Sequence, residues 1–124
     1  MATETRSWFD RSTALVSLDY VGILLAAITG VIHIYEGIED LGEGFIGVLF
    51  ILAGLGFFGA IVLLWLGFDR EVLYPVGIAY TGIQFAAYFG LRWPNVYDPL
   101  GLADKLVQLL LIVVLFLLWQ GVSE

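Results

Sequence analysis

The residues of this chain that could do chemistry converge on its only histidine and on the acidic segment behind it. His33 ends an apolar run, and Glu36, Glu39, Asp40 and Glu43 follow within ten positions. On one helix face, the imidazole of His33 and the carboxylates of Glu36 and Asp40 could bind a divalent ion. One histidine and no cysteine make too small a ligand set, so we predict neither a metal site nor a cofactor.

Catalytic groups are otherwise scarce. The serines lie far from His33 in sequence, near the two ends of the chain, so a nucleophile lacks a neighbouring base. Haem held by one chain would need a second axial ligand, and Met1 is the only methionine. The sequence therefore predicts no enzyme.

The elements that must position these residues are long apolar segments. Of 124 residues, 60% are hydrophobic and 14% are charged, which is too apolar for one small soluble core. No Asp, Glu, Lys or Arg lies between residues 19 and 36, 43 and 69, 71 and 92, or 105 and 124. A helix needs about 20 apolar residues to cross a bilayer, so we predict four transmembrane helices.

We predict one membrane domain over residues 1–124, with helices at about 17–37, 44–68, 72–91 and 101–120. The connections between them are short. Short connections place successive helices side by side and antiparallel, so the expected fold is an all-α, up-down-up-down four-helix bundle in a lipid bilayer.

Small residues recur at four-residue spacing on two of these helices. They are Gly22, Ala26 and Gly30 on the first helix, and Gly82, Ala86 and Gly90 on the third. Small side chains let helix backbones approach closely in lipid, where association depends on packing. We therefore expect both stripes to be helix-packing faces.

An antiparallel bundle should bring several polar side chains to the level of His33. The candidate set is His33, Glu36, Asp40, Gln84, Tyr88, Asp104 and Gln108. One interpretation is an outward-facing polar pocket, because ionisable residues inside a membrane often mark functional sites. The other is that His33 and the glutamines only join helices, with hydrogen bonds worth about 0.6 kcal/mol each.

The charge balance bears on partners and source. The chain has twelve acidic and five basic residues, for a formal charge of −7. This excess of negative charge argues against a nucleic-acid partner. An acidic, lysine-poor surface suits a very salty environment, where repulsion between carboxylates is screened, and so favours a halophilic source.

The basic residues also predict an orientation in the cell membrane. With both termini cytoplasmic, Arg6, Arg11 and Arg70 lie inside and Arg92 and Lys105 outside. This agrees with the rule that cytoplasmic loops carry the excess of Lys and Arg. The acidic loop after His33 is then external.

Three segments carry a family resemblance: GILLAAITGVIHIYEGI, FILAGLGFFGAIVLLWLGFDREVLYPVGIAYTGIQFAAYFG and DPLGLADKLVQLLLIVVLFLLW. They resemble a group of small, uncharacterised four-span membrane proteins from haloarchaea that carries a domain-of-unknown-function label. The resemblance covers about residues 21–119 and implies four helices and an archaeal source, but no activity. Size and span count alone resemble the DoxX-type membrane proteins, some of which are associated with quinol oxidation.

Two functional hypotheses follow. The first is an accessory subunit that packs against itself, as a homo-oligomer, or against a larger membrane complex. The second is a binding or redox-accessory protein whose pocket takes a quinone or another small hydrophobic molecule, since such sites are apolar with a few placed polar groups.

Overall fold

A computed structural model describes residues 8–10 and 14–123. These residues form four α-helices: α1 (Ser17–Glu39), α2 (Ile46–Trp65), α3 (Arg70–Arg92) and α4 (Pro99–Ser123), with a short 3₁₀ helix, Leu41–Glu43, after α1. All four α-helices are long and apolar enough to cross a membrane. The predicted all-α, four-helix fold is therefore confirmed. Arg6 and Arg11, used in the orientation argument, lie outside the described residues.

Aspartates fix the starts of three helices. Asp19 accepts a hydrogen bond from a backbone N–H just before α1, while Asp69 and Asp98 accept from the first turns of α3 and α4. The first N–H groups of a helix have no partner within it, so such acceptors stabilise its beginning. As a result, α4 starts at Pro99 and Lys105 lies almost two turns inside the helix.

Glycines bring the backbones of α1 and α2 into direct contact. A Cβ atom added to Gly54 would lie 2.6 Å from the carbonyl oxygen of Gly30, and one added to Gly37 would lie 2.6 Å from that of Gly47. Only glycine fits such positions. This close packing fixes α1 against α2 along the half of α1 that carries His33.

The other side of α1 packs against α4. Gly22 faces Val114, since an added Cβ would meet the Val114 side chain at 3.5 Å. Farther along, Ala26 packs with Leu111 and with Phe57 of α2 in a buried cluster. These contacts hold α4 beside α1, so that polar residues of the two helices can face each other.

The small-residue stripe of α3 faces away from the other helices in the described part of the chain. Nothing lies within 4 Å of a Cβ added to Gly82 or to Gly90, and Ala86 is exposed. Helix α3 is rotated so that Tyr74 and Thr81, both almost fully buried, face inward. That its small-residue stripe is a helix-packing face stays a prediction.

Helices α2 and α3 follow each other in sequence yet pack together least of the neighbouring helix pairs. Gly67, whose φ is 80°, turns the chain between them in the left-handed conformation that glycine adopts readily. The Tyr80 hydroxyl on α3 donates to the Ala53 carbonyl on α2 at 2.7 Å. Beyond this bond the two helices leave a cleft at the end of the bundle where α1 and α3 terminate, which we call the His33 end.

Candidate ligand-binding cleft

A buried polar cluster joins α1 to α4 at the His33 end. The Thr29 hydroxyl on α1 donates to Asp104 Oδ1 on α4 at 2.6 Å, and Gln108 Nε2 donates to the Thr29 oxygen at 3.3 Å. Thr29 and Gln108 have no exposed surface, and Asp104 is 1% exposed. Their mutual bonds are what make this burial tolerable, because an unpaired polar group in an apolar medium is costly.

Lys105 completes this cluster from the side of the cleft. Its Nζ lies 3.3 Å from Asp104 Oδ2 and donates to Gln108 Oε1 at 2.5 Å. The same nitrogen lies 5.1 Å from the ring centroid of Tyr88 on α3, a cation–π distance. The ammonium is therefore compensated on several sides, as a buried charge requires.

His33 lies between this cluster and α2. Its Nδ1 is 2.9 Å from the backbone carbonyl oxygen of Thr29 and 3.7 Å from Asp104 Oδ2. The imidazole centroid lies 5.7 Å from those of Phe50 and Phe57. With 6% of its surface exposed, His33 is an inward-facing residue that carries a polar atom into aromatic surroundings.

The cleft at the His33 end has a volume of about 430 Å³. Helices α2 and α3 form its walls, and residues of α1 and α4 form its floor. Its polar lining residues are His33, Glu36, Asp40, Glu43, Gln84, Tyr88, Arg92, Asp104 and Lys105. Its apolar lining residues are Ile46, Leu49, Phe50, Ala53, Ala87 and Leu91. An apolar space with a few convergent polar groups is the usual form of a small-molecule site.

The structure brings the candidate pocket residues to this one end of the bundle. Six of them line the cleft: His33, Glu36, Asp40, Gln84, Tyr88 and Asp104. Gln108 lies beneath the floor, bonded to Thr29 and Lys105. Their role in binding stays a prediction.

Two members of the cluster were missing from the sequence-based set. The orientation argument counts Lys105 as a charge on the outside, but α4 buries it within the bundle. Thr29 lies four residues before His33, on the same helix face, and this spacing is the signal that could have identified it. His33, Glu36 and Asp40 are the residues whose types could bind a divalent ion. Among the described residues, no three His, Asp or Glu side chains are grouped to hold an ion.

A second buried carboxylate lies at the opposite end of the bundle. Asp19 is 1% exposed and accepts a hydrogen bond from the Tyr74 hydroxyl at 2.6 Å. Arg70 Nη1 lies 4.0 Å from the same carboxylate. This group ties α1 to α3 and lies beside a separate, mostly apolar cavity of about 70 Å³, far too small for a typical ligand.

One family comparison covers almost the whole chain. A model described as a family of unknown function, DUF7475, matches residues 3–119. No curated protein and no solved structure matches the chain. The family description assigns no activity, so the function has to be argued from the cleft itself.

Proposed function

The chain belongs to the DUF7475 family of unknown function, and we propose that it is a membrane binding protein whose cleft takes a small apolar molecule with a polar end, such as a quinone. The observation that carries this proposal is the cleft between α2 and α3. Its volume of about 430 Å³ falls within the range of about 300–1,000 Å³ found for small-molecule sites.

The chemistry of the walls suits such a ligand. Leu49 and Phe50 of α2 and Ala87 and Leu91 of α3 line the space, so the body of the ligand would leave water or lipid for an apolar wall. The floor offers His33 and the compensated charges around it. An apolar body with a polar end would use both parts of the cleft.

The opening of the cleft indicates how the ligand would arrive. Helices α2 and α3 both line the cleft and pack together little, whereas α1 packs closely against α4. In a bundle of four membrane-spanning helices, a gap between two neighbouring helices faces lipid. A ligand dissolved in the bilayer could therefore enter laterally between α2 and α3.

Filling the cleft tests the proposal. Ala87→Trp places an indole in the cleft, whereas Ala103→Trp makes the same change at an exposed position of α4 that does not line it. Native mass spectrometry should detect a co-purifying apolar small molecule on the unmodified protein and on Ala103→Trp, but not on Ala87→Trp. Decylubiquinone added to protein stripped of ligand should bind with the same selectivity. Equal binding to both variants would contradict the proposal.

A second candidate function rests on the outward face of α3. Gly82 and Gly90 open onto space that none of residues 8–10 and 14–123 fills within 4 Å of an added Cβ, and Ala86 between them is exposed. Such a stripe suits close packing of another membrane helix, as in a homo-oligomer or an accessory subunit of a larger complex. Ala86→Leu should then shift the protein to a smaller species on blue-native electrophoresis after mild solubilisation. An unmodified protein that migrates as a monomer would exclude this candidate.

A further inference from the structure

The hydrogen bond of His33 to its own helix determines what its ring offers to the cleft. The Thr29 backbone carbonyl lies 2.9 Å from Nδ1, and a carbonyl oxygen can only accept. Neutral His33 therefore carries its proton on Nδ1. Because Nδ1 is turned toward Thr29 and Asp104, the other nitrogen, Nε2, is left for the cleft as a hydrogen-bond acceptor.

The neighbouring polar atoms of the floor are already engaged. The ammonium of Lys105 is directed to Asp104, to Gln108 and to the face of the Tyr88 ring. One oxygen of Asp104 accepts from Thr29 and the other is paired with Lys105. These groups therefore have little hydrogen-bonding capacity left for a ligand.

Tyr88 and Gln84 are polar residues of α3 that line the wall of the cleft. The Tyr88 hydroxyl donates to the carbonyl of Val96 at 2.8 Å, so its proton is not available to a ligand. Gln84 Oε1 is buried and has no hydrogen-bond partner among residues 8–10 and 14–123. The hydrogen-bond contacts of the His33 ring are at Nδ1, which leaves Nε2 as a second acceptor. These two atoms are acceptors, and so are the ionised carboxylates of Glu36, Asp40 and Glu43 that line the same cleft. Among the donors of the lining, the Arg92 guanidinium lies 5.0 Å from the Tyr88 ring centroid.

We infer that the ligand of this cleft carries a neutral hydroxyl group that donates a hydrogen bond to His33 Nε2, as a phenol or quinol does. This inference rests on the proposed binding function and specifies its ligand class. A molecule whose polar end only accepts, as that of a quinone does, would leave both acceptors unpaired and should bind more weakly than its reduced, hydroxyl-bearing form. A cationic donor would lose its hydration on entering the cleft and would meet the ammonium of Lys105 at the floor. A neutral donor avoids that cost, although Glu36 and Asp40 also line the cleft.

Three probes of similar size separate these possibilities. para-Hexylphenol has the apolar body and the donor, para-hexylanisole replaces the donor by a methyl ether, and hexylammonium supplies a charged donor. Isothermal titration calorimetry into protein in lipid nanodiscs, corrected with empty nanodiscs, compares their dissociation constants. We expect the phenol to bind at least about fivefold more tightly than the anisole, the effect of one hydrogen bond, and hexylammonium to bind most weakly.

A variant identifies the acceptor. His33→Phe keeps an aromatic ring but removes Nε2, so it should weaken phenol binding to the level of the anisole and leave anisole binding unchanged. Equal affinities for phenol and anisole on the unmodified protein would overturn the inference while the cleft remained a binding site. Tighter binding of hexylammonium would also overturn it. If neither para-hexylphenol nor para-hexylanisole bound to the unmodified protein, the proposed function and the inference would both be wrong. The comparison of these two probes on the unmodified protein does not depend on the folding of His33→Phe.

Discussion

Replacing Thr29 by Val tests whether the polar cluster holds α1 and α4 together. Valine has nearly the shape of threonine, so the change removes the hydroxyl and leaves the packing. Two bonds between helices disappear: the one donated to Asp104 at 2.6 Å and the one accepted from Gln108 at 3.3 Å. Both partners stay buried after the change, which is where the cost arises.

The magnitude follows from the kind of bonds that are lost. A hydrogen bond between membrane helices contributes about 0.6 kcal/mol on average and about 1.7 kcal/mol at most, while bonds to charged groups contribute about 1.5–3 kcal/mol in water-soluble proteins. Asp104 keeps Lys105 as a partner at 3.3 Å, which limits the loss. We expect Thr29→Val to lower the free energy of unfolding by about 1–2 kcal/mol.

Thr81→Val is the matched control. Thr81 is 1% exposed, but its hydroxyl oxygen has no hydrogen-bond partner within the described ranges. Removing an unpartnered buried hydroxyl should leave stability unchanged or raise it. Unfolding by SDS in mixed micelles, followed by intrinsic tryptophan fluorescence, measures both variants. A Thr29→Val cost no larger than that of Thr81→Val would refute the reasoning.

Three further predictions concern packing, the opposite end of the bundle and orientation. Gly54→Ala should destabilise the protein by about 1–3 kcal/mol, because the new methyl would collide with the backbone of α1. Gly82→Ala places its methyl in open space and should not destabilise the protein. Equal effects of the two changes in the same unfolding assay would contradict the close packing of α1 and α2. Tyr74→Phe removes a 2.6 Å bond to a buried carboxylate and should lower stability by about 1–2 kcal/mol, and an unchanged unfolding curve would argue against that bond. If the termini are cytoplasmic, an impermeant thiol reagent on intact cells should label Gly42→Cys and not Glu71→Cys, and the opposite pattern would reverse the orientation.

The four-helix fold could be predicted because charged residues are scarce enough to divide the chain. Each long interval without Asp, Glu, Lys or Arg lies largely within one helix of the structure. Charge position is a poorer guide at the ends of helices. Lys105 limits a charge-free interval of the sequence, yet α4 buries it because Asp104 and Gln108 compensate its charge. Such compensation cannot be recognised until the fold places the partners.

The rotation of α3 could not be predicted from its small residues. Gly82, Ala86 and Gly90 have the spacing of a packing face but point outward. The inward face is set instead by Tyr74, which reaches a carboxylate on α1, and by Thr81 on the same side of the helix. Small residues permit close packing without requiring it, whereas a polar side chain with a buried partner determines which way a helix faces.

Protection of an introduced cysteine most directly tests the claim that the cleft of this chain binds a ligand. The sequence has no cysteine, so Ala87→Cys provides a single thiol in the cleft and Ala103→Cys a matched thiol outside it. We predict that para-hexylphenol slows alkylation by a membrane-permeant maleimide at position 87 and has no effect at position 103. Equal alkylation rates at position 87 with and without the phenol would contradict the account.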